Sequence, residues 1–223
     1  MRLPGKLGTG IEVAREEWGA LRPKLARRDW RFTLAGQEYP YLTHYYNHTW
    51  RNERGVELPV AMRLLDAHRG EPTLEVGNVS PWYRRHDHQV VDKYEVWPGV
   101  ENLDVVDIPP GARYALILAI STLEHAGFDE PEQDFGKPRA AVRHLMSLLR
   151  PGGTLLVTIP LGQNPGADDL FYGAPAFGEA HAMRRVSEDG RWEETTFAGV
   201  AGIGYGTPYE CANAVAFGFG RAG

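Results

Sequence analysis

The stretch from Pro72 to Asn78 constrains the fold more than any other part of the sequence. After the proline, apolar residues alternate with Thr73 and Glu75, and Gly77 follows at once, which is typical of a short buried strand that ends in a turn. A residue without Cβ lets the backbone approach a ligand closely, and ligands of open parallel sheets bind just beyond the carboxyl ends of the strands. The sequence therefore makes Glu75, Gly77 and Asn78 a candidate ligand site, with a strand and a plain glycine turn as the alternative for this stretch alone.

Further strands and helices are predicted to alternate after this point. The strands are expected at residues 89–92, 102–107, 114–120, 154–159 and 213–219, and the helices at residues 52–68, with its first turn near 56–60, and 138–149. A hairpin is expected at residues 182–186 and 192–197, around Asp189-Gly190. Residues 160–180 are rich in glycine and proline and are interpreted as an inserted loop or lid. Alternation of this kind predicts an α/β fold with a mostly parallel sheet.

The first 50 residues are predicted to form a cap on an α/β domain of residues 51–223. A surface helix is expected at residues 11–28, limited by Pro23, with an apolar face of Ile11, Ala14, Trp18 and Leu21. A small hairpin is expected at residues 30–42, followed by an aromatic and polar segment at 41–54. We expect this aromatic segment and the 160–180 loop to close over one mouth.

Composition excludes several classes of function. The chain of 223 residues carries 24 basic and 29 acidic side chains, a net charge of −5, which argues against a broad nucleic-acid surface. Cys211 is the single cysteine, so an internal disulfide is excluded and a reducing cytoplasm is expected. No signal-peptide core occupies residues 1–10, and no apolar run has the length of a membrane span. The oligomeric state is left open.

The order of the segments resembles that of the class I S-adenosylmethionine-dependent methyltransferases, in particular the type 11 branch. The resemblance is carried by Leu74-Glu75-Val76-Gly77, Val91-Asp92, residues 103–109, residues 120–125 and residues 148–155. It implies a Rossmann-like sheet with an antiparallel last strand, S-adenosylmethionine as cofactor, and methyl transfer as the reaction. The chain departs from the family in having one glycine after the first strand, and the interval between Gly77 and Asp92 leaves room for only a reduced helix.

The resemblance also implies roles for individual residues. Glu75, Gly77 and Asn78 would lie against the amino-acid part of the cofactor. Asp92 would accept the ribose hydroxyls, a role that suits a carboxylate because it accepts two donors well. Asp104 would lie at the adenine amino group.

Other candidates come from the next strand end and from the N-terminal segment. By the resemblance, residues from Ser121 to His125 line the mouth near the sulfonium. Trp50 and Arg54 are candidates to reach the cofactor, with packing against the first strand as the alternative. Methyl transfer to a hydroxyl requires removal of its proton, so His125 is the first candidate for a general base and His48 the second. A structural role is the alternative for His125.

The acceptor and mechanism are less constrained. Aromatic, asparagine and histidine side chains favour a small hydroxylated acceptor, such as a sugar, a nucleotide-linked sugar or a natural product, methylated on oxygen by in-line displacement. His44 and His48 have the spacing of two metal ligands but no accompanying glutamate, so we predict a metal-independent reaction. The alternatives are a non-catalytic binding module that keeps the fold and a nicotinamide-dependent oxidoreductase, which would need a fuller glycine run.

Overall fold

A computed structural model describes residues 10–85, 87–111, 113–174 and 176–223, and of residues 10–17 it describes the backbone alone. The predicted absence of a signal peptide in residues 1–10, and the orientation of Ile11 and Ala14, fall outside the described residues. None of the helices in the described part is long and apolar enough to cross a membrane.

The N-terminal elements differ from the prediction in one respect. Helix α1 (Gly10–Arg27) continues through Pro23, so the expectation that Pro23 limits it is wrong. A proline removes one helical hydrogen bond, and the helix-forming residues on either side carry the helix past it. Trp18 is 74% exposed, which also contradicts its place on a buried face. The hairpin is confirmed, as β1 (Arg31–Leu34) pairs antiparallel with β2 (Gln37–Pro40).

The remaining elements follow in the predicted alternation. In chain order they are a 3₁₀ helix (Tyr46–Arg51), α2 (Arg54–Ala67), β3 (Thr73–Val76), a 3₁₀ turn (Ser80–Trp82), β4 (Gln89–Val91), β5 (Val100–Glu101), a 3₁₀ turn (Val105–Asp107), β6 (Tyr114–Ile120), α3 (Lys137–Leu148), β7 (Leu149–Pro160), α4 (Pro165–Tyr172), β8 (Glu179–Arg185), β9 (Trp192–Thr195), α5 (Phe197–Val200) and β10 (Ala214–Arg221).

The main sheet has eight strands in the order β5-β4-β3-β6-β7-β10-β8-β9. Strands β5, β4, β3, β6 and β7 are mutually parallel, and β10 enters antiparallel between β7 and β8. Strand β9 pairs antiparallel with β8 and forms the predicted hairpin. This order, mostly parallel with an antiparallel last strand inserted beside β7, is the Rossmann-like sheet that was predicted, so the predicted fold class is confirmed.

Both faces of the sheet are covered, as the apolar run of β6 requires. Ile117 and Ala119 point into one core, under α3 and α4, whereas Leu116, Leu118 and Ile120 point into the other, under α2 and the β1–β2 hairpin. All seven residues of β6 are buried. Strands of parallel sheets that are buried on both faces read as continuous apolar runs, which is why this strand was predicted correctly.

Three local predictions are corrected by the structure. The expected strand at residues 102–107 is instead a two-residue strand, Val100–Glu101, followed by a 3₁₀ turn. Asp104 caps that turn, and its side chain accepts a hydrogen bond from the Val106 N–H. The 160–180 segment contains α4 and is therefore not wholly a loop. Helix α2 begins at Arg54, ahead of the expected first turn, and holds Pro59 in its interior.

The segment between β3 and β4 is reduced as predicted. Among its described residues, a single 3₁₀ turn, Ser80–Trp82, stands where a longer helix would follow the first strand. Gly77 has a φ of +87°, and a Cβ at this position would lie 2.1 Å from Oγ1 of Thr122. The glycine is thus required both by backbone conformation and by close packing against the segment that follows β6.

We expect Gly77→Ala to lower the free energy of unfolding by about 2–4 kcal/mol, because it adds left-handed strain and overpacking at one point. Denaturant unfolding measures the change. Gly99→Ala is the matched control, because Gly99 has a φ of +85° but has open space around its Cβ direction. A Gly77→Ala loss no larger than that of Gly99→Ala would show that packing against Thr122 is unimportant.

Candidate functional site

The carboxyl ends of the parallel strands meet at one edge of the sheet. Val76 is paired with Ala119, and Ala119 with Val157, so β3, β6 and β7 end at nearly the same level. The segments that follow them therefore converge there, as expected for the ligand-binding edge of such a sheet.

Glu75 organises the loop that follows β3. Its side chain is fully buried and its Oε1 accepts hydrogen bonds from the backbone N–H groups of Val79, at 3.1 Å, and Ser80, at 2.6 Å. Its Oε2 accepts from the Ser80 hydroxyl and lies 2.8 Å from Nε2 of His88. Because these partners already use both oxygens, the Glu75 side chain fixes the shape of its own loop. Direct contact with a cofactor stays a prediction.

Asn78 and Asp92 come together at the ends of β3 and β4, as predicted. The Asn78 N–H lies 3.2 Å from Oδ2 of Asp92 and donates to it. Oδ1 of Asp92 accepts from the N–H groups of Tyr94 and Glu95, at 2.8 and 2.7 Å, which fixes the carboxylate in place. One carboxylate oxygen is therefore tied to its own turn, while the other faces the loop after β3.

Glu95 joins this group and was missed by sequence reasoning. Its Oε1 accepts from Nδ2 of Asn78 at 2.8 Å, whereas Oδ1 of Asn78 is buried without a hydrogen-bond partner. Burial, with the nearby Asp92 charge, raises the pKa of Glu95. The sequence could have identified Glu95 from its position three residues after Asp92, because a short turn brings the two carboxyl groups close together.

Aromatic rings border this group. Tyr46 stacks on Trp82 with ring centroids 4.7 Å apart, and Trp82 lies 4.8 Å from Trp97. The predicted aromatic segment thus attaches beside the loop after β3. The segment after β7 attaches at the same edge, because Nδ2 of Asn164 donates to the backbone oxygen of Glu124 at 2.7 Å. Closure of both segments over one mouth stays a prediction.

A second polar group links α2 to the end of β6. Nη1 of Arg54 donates to Oε2 of Glu57 at 2.9 Å and to the Ile120 carbonyl at 3.1 Å. The Ser121 hydroxyl donates to Oε1 of Glu57 at 2.6 Å. Arg54 and Ser121, two predicted site residues, are therefore joined by Glu57, which sequence reasoning did not single out. The signal was a glutamate within the otherwise apolar run of residues 55–62 in α2.

Ser121 has an unusual backbone conformation. Its φ is +40°, in the left-handed region that a residue with a Cβ seldom adopts, and its N–H bonds to the Thr158 carbonyl at 3.0 Å. Such conformations cost about 1–3 kcal/mol and persist where the surroundings hold them. Here the hydroxyl bond to Glu57 and the N–H bond to Thr158 hold the turn that leads to Glu124.

Two further buried carboxyl groups, Glu53 and Glu124, surround Arg54. We call Glu53, Glu57 and Glu124 the carboxylate cluster. Burial and the neighbouring Glu57 charge raise the pKa of Glu53, and burial raises the pKa of Glu124 well above its ordinary value. Burial alone would lower the pKa of Arg54, but the carboxylates around it, Glu57 first, raise it, so the guanidinium stays charged.

Asp104 belongs to a separate ion-pair group. Its Oδ2 lies 2.8 Å from Nζ of Lys93 and 2.5 Å from Nζ of Lys137, and both lysines also contact Glu130. Burial works to raise the pKa of Asp104, but the hydrogen bonds from Lys137 and Lys93 outweigh it and the pKa is lowered. If Asp104 bound an adenine amino group, its carboxylate would have to accept from that group as well as from the two lysines. The adenine role of Asp104 stays a prediction.

The remaining candidates lie in different surroundings. Nδ1 of His125 is 2.7 Å from Oδ2 of Asp129, and the His125 side chain is 46% exposed beside the end of β6. His48 is exposed and its ring lies 5.0 Å from that of Trp50. Trp50 stands close to the β8–β9 turn, where a Cβ on Gly190 would meet the Trp50 carbonyl at 2.5 Å. Their catalytic or cofactor roles are untested by this geometry.

Within the described ranges, no three His, Cys, Asp or Glu side chains are grouped so as to hold a metal ion. A cavity of about 640 Å³ opens at the carboxyl end of β8. Its lining comprises Arg184, Arg185, Val186, Gly202, Ile203, Gly204, Thr207, Pro208, Tyr209 and Asn213. None of the residues predicted from the sequence lines it.

No family model matches the sequence, and no curated protein matches it. Solved structures similar to this chain include the N-methyltransferase NodS from Bradyrhizobium japonicum in complex with S-adenosyl-L-homocysteine, 14% identical, covering 72% of this chain and 83% of that chain with a TM-score of 0.44.

Two others are also methyltransferases. The 1,6-didemethyltoxoflavin-N1-methyltransferase from Burkholderia thailandensis is 14% identical, covering 99% of this chain and 93% of that chain, with a TM-score of 0.41. The sugar N-methyltransferase KedS8 from Streptoalloteichus is 14% identical, covering 74% of this chain and 87% of that chain, with a TM-score of 0.39. The fold assignment rests on the strand order of this chain and not on these scores.

The raised pKa of Glu124 predicts a pH-dependent stability. The folded state holds this proton to higher pH than the unfolded state does, so the stabilisation is complete below the ordinary pKa of glutamate and is lost as the pH rises toward the folded value. We expect Glu124→Gln, which mimics the protonated form, to raise Tm above that of the wild type at pH 8 by at least about 2 °C, with a smaller gain at pH 4.5.

Thermal unfolding followed by circular dichroism between pH 4.5 and 8 measures this difference. Glu132→Gln, which removes an exposed glutamate from the loop before α3, is the control for loss of one surface charge. A Tm difference between Glu124→Gln and wild type that stays constant with pH would contradict the assignment.

Proposed function

We propose that this protein transfers a methyl group from S-adenosylmethionine to a small-molecule acceptor. The observation that carries the proposal is the pairing of Asn78 and Asp92, with Glu95, at the carboxyl ends of β3 and β4 in a sheet of class I methyltransferase order. The strand order gives the fold, and the polar groups give a place for the cofactor. That NodS was solved with S-adenosyl-L-homocysteine agrees with this choice.

The chemistry of these groups fits the cofactor. Two vicinal ribose hydroxyls offer two donors, and Asp92 and Glu95, whose carboxyl groups interact electrostatically, offer acceptor oxygens. Oδ1 of Asn78 is a buried acceptor in need of a donor, which the cofactor's ammonium group or hydroxyls would supply.

The bound cofactor supplies an activated methyl group on a positively charged sulfur. The chain's contribution is then mainly to orient the acceptor for in-line attack and to exclude water, an effect worth up to about 7–11 kcal/mol for well-oriented groups. Ser121 and Glu124, which follow β6, stand where the resemblance places the methyl group. His125 lies beside them, with Asp129 fixing its ring, and is the candidate general base for an acceptor that must lose a proton.

The first test is cofactor binding. We expect isothermal titration calorimetry to show binding of S-adenosylmethionine and not of NADH, and Asp92→Ala to weaken it by about 1.5–3 kcal/mol through loss of charge-assisted hydrogen bonds. Glu101→Gln, at an exposed carboxylate of β5, is the control. Preference for NADH would favour an oxidoreductase, and unchanged affinity in a folded Asp92→Ala protein would remove the ribose assignment.

The second test concerns the base and the metal. We expect turnover to persist in excess chelator, because the proposed mechanism uses positioning and protein groups. His125→Ala is expected to lower kcat by about 10²–10³ fold with cofactor affinity unchanged, and His48→Ala to have a smaller effect. Activity lost in chelator and restored by magnesium would refute the metal-free mechanism. A fully active His125→Ala enzyme would refute the base assignment, and positioning of the acceptor would then be the remaining source of catalysis. Binding of the cofactor without any turnover would favour the binding-module alternative.

A further inference from the structure

Glu124 is a buried carboxyl group whose hydrogen bonding is incomplete. Its side chain is 2% exposed, and its Oε2 has no hydrogen-bond partner. Its Oε1 lies 3.7 Å from Nε2 of His125, which is longer than a hydrogen bond. A buried acceptor left in this way is unfavourable unless a ligand brings a donor to it.

The Glu124 carboxyl lies within electrostatic reach of Glu53 and Arg54, and the region between these three groups is the space considered for a ligand. Both glutamates and Arg54 act electrostatically on Tyr205, and after burial the Glu53 charge is the largest influence that raises the pKa of this phenol. Tyr205 is 42% exposed, so this space has a side toward solvent. The loop of Tyr205 packs beside the end of β7, where a Cβ on Gly162 would lie 2.3 Å from the Ile203 carbonyl.

The charges around this space are unbalanced. Three carboxyl groups, Glu53, Glu57 and Glu124, stand against the single guanidinium of Arg54. Two donors of the group are directed at the protein itself, since Nη1 of Arg54 bonds to Glu57 and the Ile120 carbonyl, and Ser121 bonds to Glu57. Burial raises the pKa of Glu53 and Glu124 because few charges compensate their ionised forms. A ligand that brings donors and positive charge would stabilise those ionised forms.

We propose that the carboxylate cluster binds the methyl acceptor as an amine, with the reacting nitrogen donating to Oε2 of Glu124, so that the reaction is N-methylation of a small amino compound. This inference rests on the proposed function and replaces the hydroxylated acceptor expected from the sequence. Several carboxylates around an attacking oxygen would oppose the negative charge that must develop there. An amine develops positive charge instead, which the same carboxylates stabilise.

The proton balance follows from the same geometry. The ammonium form of the acceptor gives one proton to the ionised Glu124 carboxylate, which frees the nitrogen lone pair. The lone pair attacks the methyl carbon as the carbon–sulfur bond breaks, and the bonding pair stays on sulfur. The product leaves as a methylated ammonium ion, and Glu124 returns its proton to solvent. The raised pKa of Glu124 suits it to accept this proton.

The test compares amines with their hydroxyl counterparts. The full-length protein is incubated with methyl-labelled S-adenosylmethionine and three pairs of probes, which are glucosamine and glucose, benzylamine and benzyl alcohol, and tyramine and tyrosol. We expect label in one or more amines and none in the alcohols. Glu124→Gln is expected to lower kcat/KM for the methylated amine by about 10–100 fold, as for loss of a charge-assisted hydrogen bond, with S-adenosylhomocysteine affinity unchanged.

Asp168→Asn is the matched control. Asp168 is also largely shielded, and burial raises its pKa to about 6, but its carboxylate accepts from the Gly162 N–H and lies outside the carboxylate cluster. The Asp168→Asn substitution is expected to leave amine methylation unchanged. Thermal shift with the same probes in the presence of S-adenosylhomocysteine shows binding even where turnover is slow.

The outcomes separate the two proposals. A wild-type protein that fails to bind S-adenosylmethionine defeats the proposed function itself. A protein that binds it but methylates an alcohol at least as well as the paired amine, or neither binds nor methylates any amine of the set, overturns the amine assignment alone. Full amine activity in Glu124→Gln overturns the role of Glu124.

Discussion

The buried carboxylate of Glu57 is the interaction on which the candidate site depends. It accepts from Arg54 on its own helix and from Ser121 at the end of β6, and so joins the layer of helices to the mouth of the sheet. Removing one partner of a buried ion pair costs about 3–5 kcal/mol, because the other charge is left without compensation. Loss of Glu57 would leave the Arg54 guanidinium among weaker partners and the left-handed turn at Ser121 without its side-chain anchor. Glu57 therefore holds both the Arg54 guanidinium and the turn at Ser121 in position.

The two glutamates of the β3–β6 edge show how similar carboxyl groups serve different ends. Glu75 is surrounded by donors from its own loop, and these bonds satisfy both oxygens. Glu124 is equally buried but keeps one oxygen without a donor. The difference comes from the segments that follow. The chain after Glu75 turns back within five residues to supply Ser80, whereas the chain after Glu124 supplies only His125, whose ring is drawn toward Asp129.

The sequence was sufficient for most of the fold and for part of the site. Continuous apolar runs such as Tyr114–Ile120 identify buried parallel strands, because the pattern and the environment have the same cause. The run from Asn102 to Asp107 misled, because its alternation resembles a strand while Asp104 prefers to cap a turn. Asn78 and Asp92 were found because each follows a strand directly. Glu53 and Glu57 were not singled out, and Glu124 was included only within the range Ser121–His125. These glutamates come from two distant segments, and no local pattern records that they meet.

The position of β10 has a consequence for synthesis and assembly. This strand follows β8 in the chain but lies between β7 and β8 in the sheet, and it bonds to both. While the chain emerges from the ribosome, β7 therefore keeps an open edge, and the β8–β9 hairpin has no neighbouring strand of the main sheet to pair with until Ala214 and the residues after it have been made. The parallel half of the sheet can form earlier, but the antiparallel end, which consists of β10, β8 and β9 and includes Arg185, is completed last together with the 202–213 loop. An unpaired edge of this kind invites pairing with another chain, so the interval before β10 arrives is when the nascent protein is most exposed to aggregation.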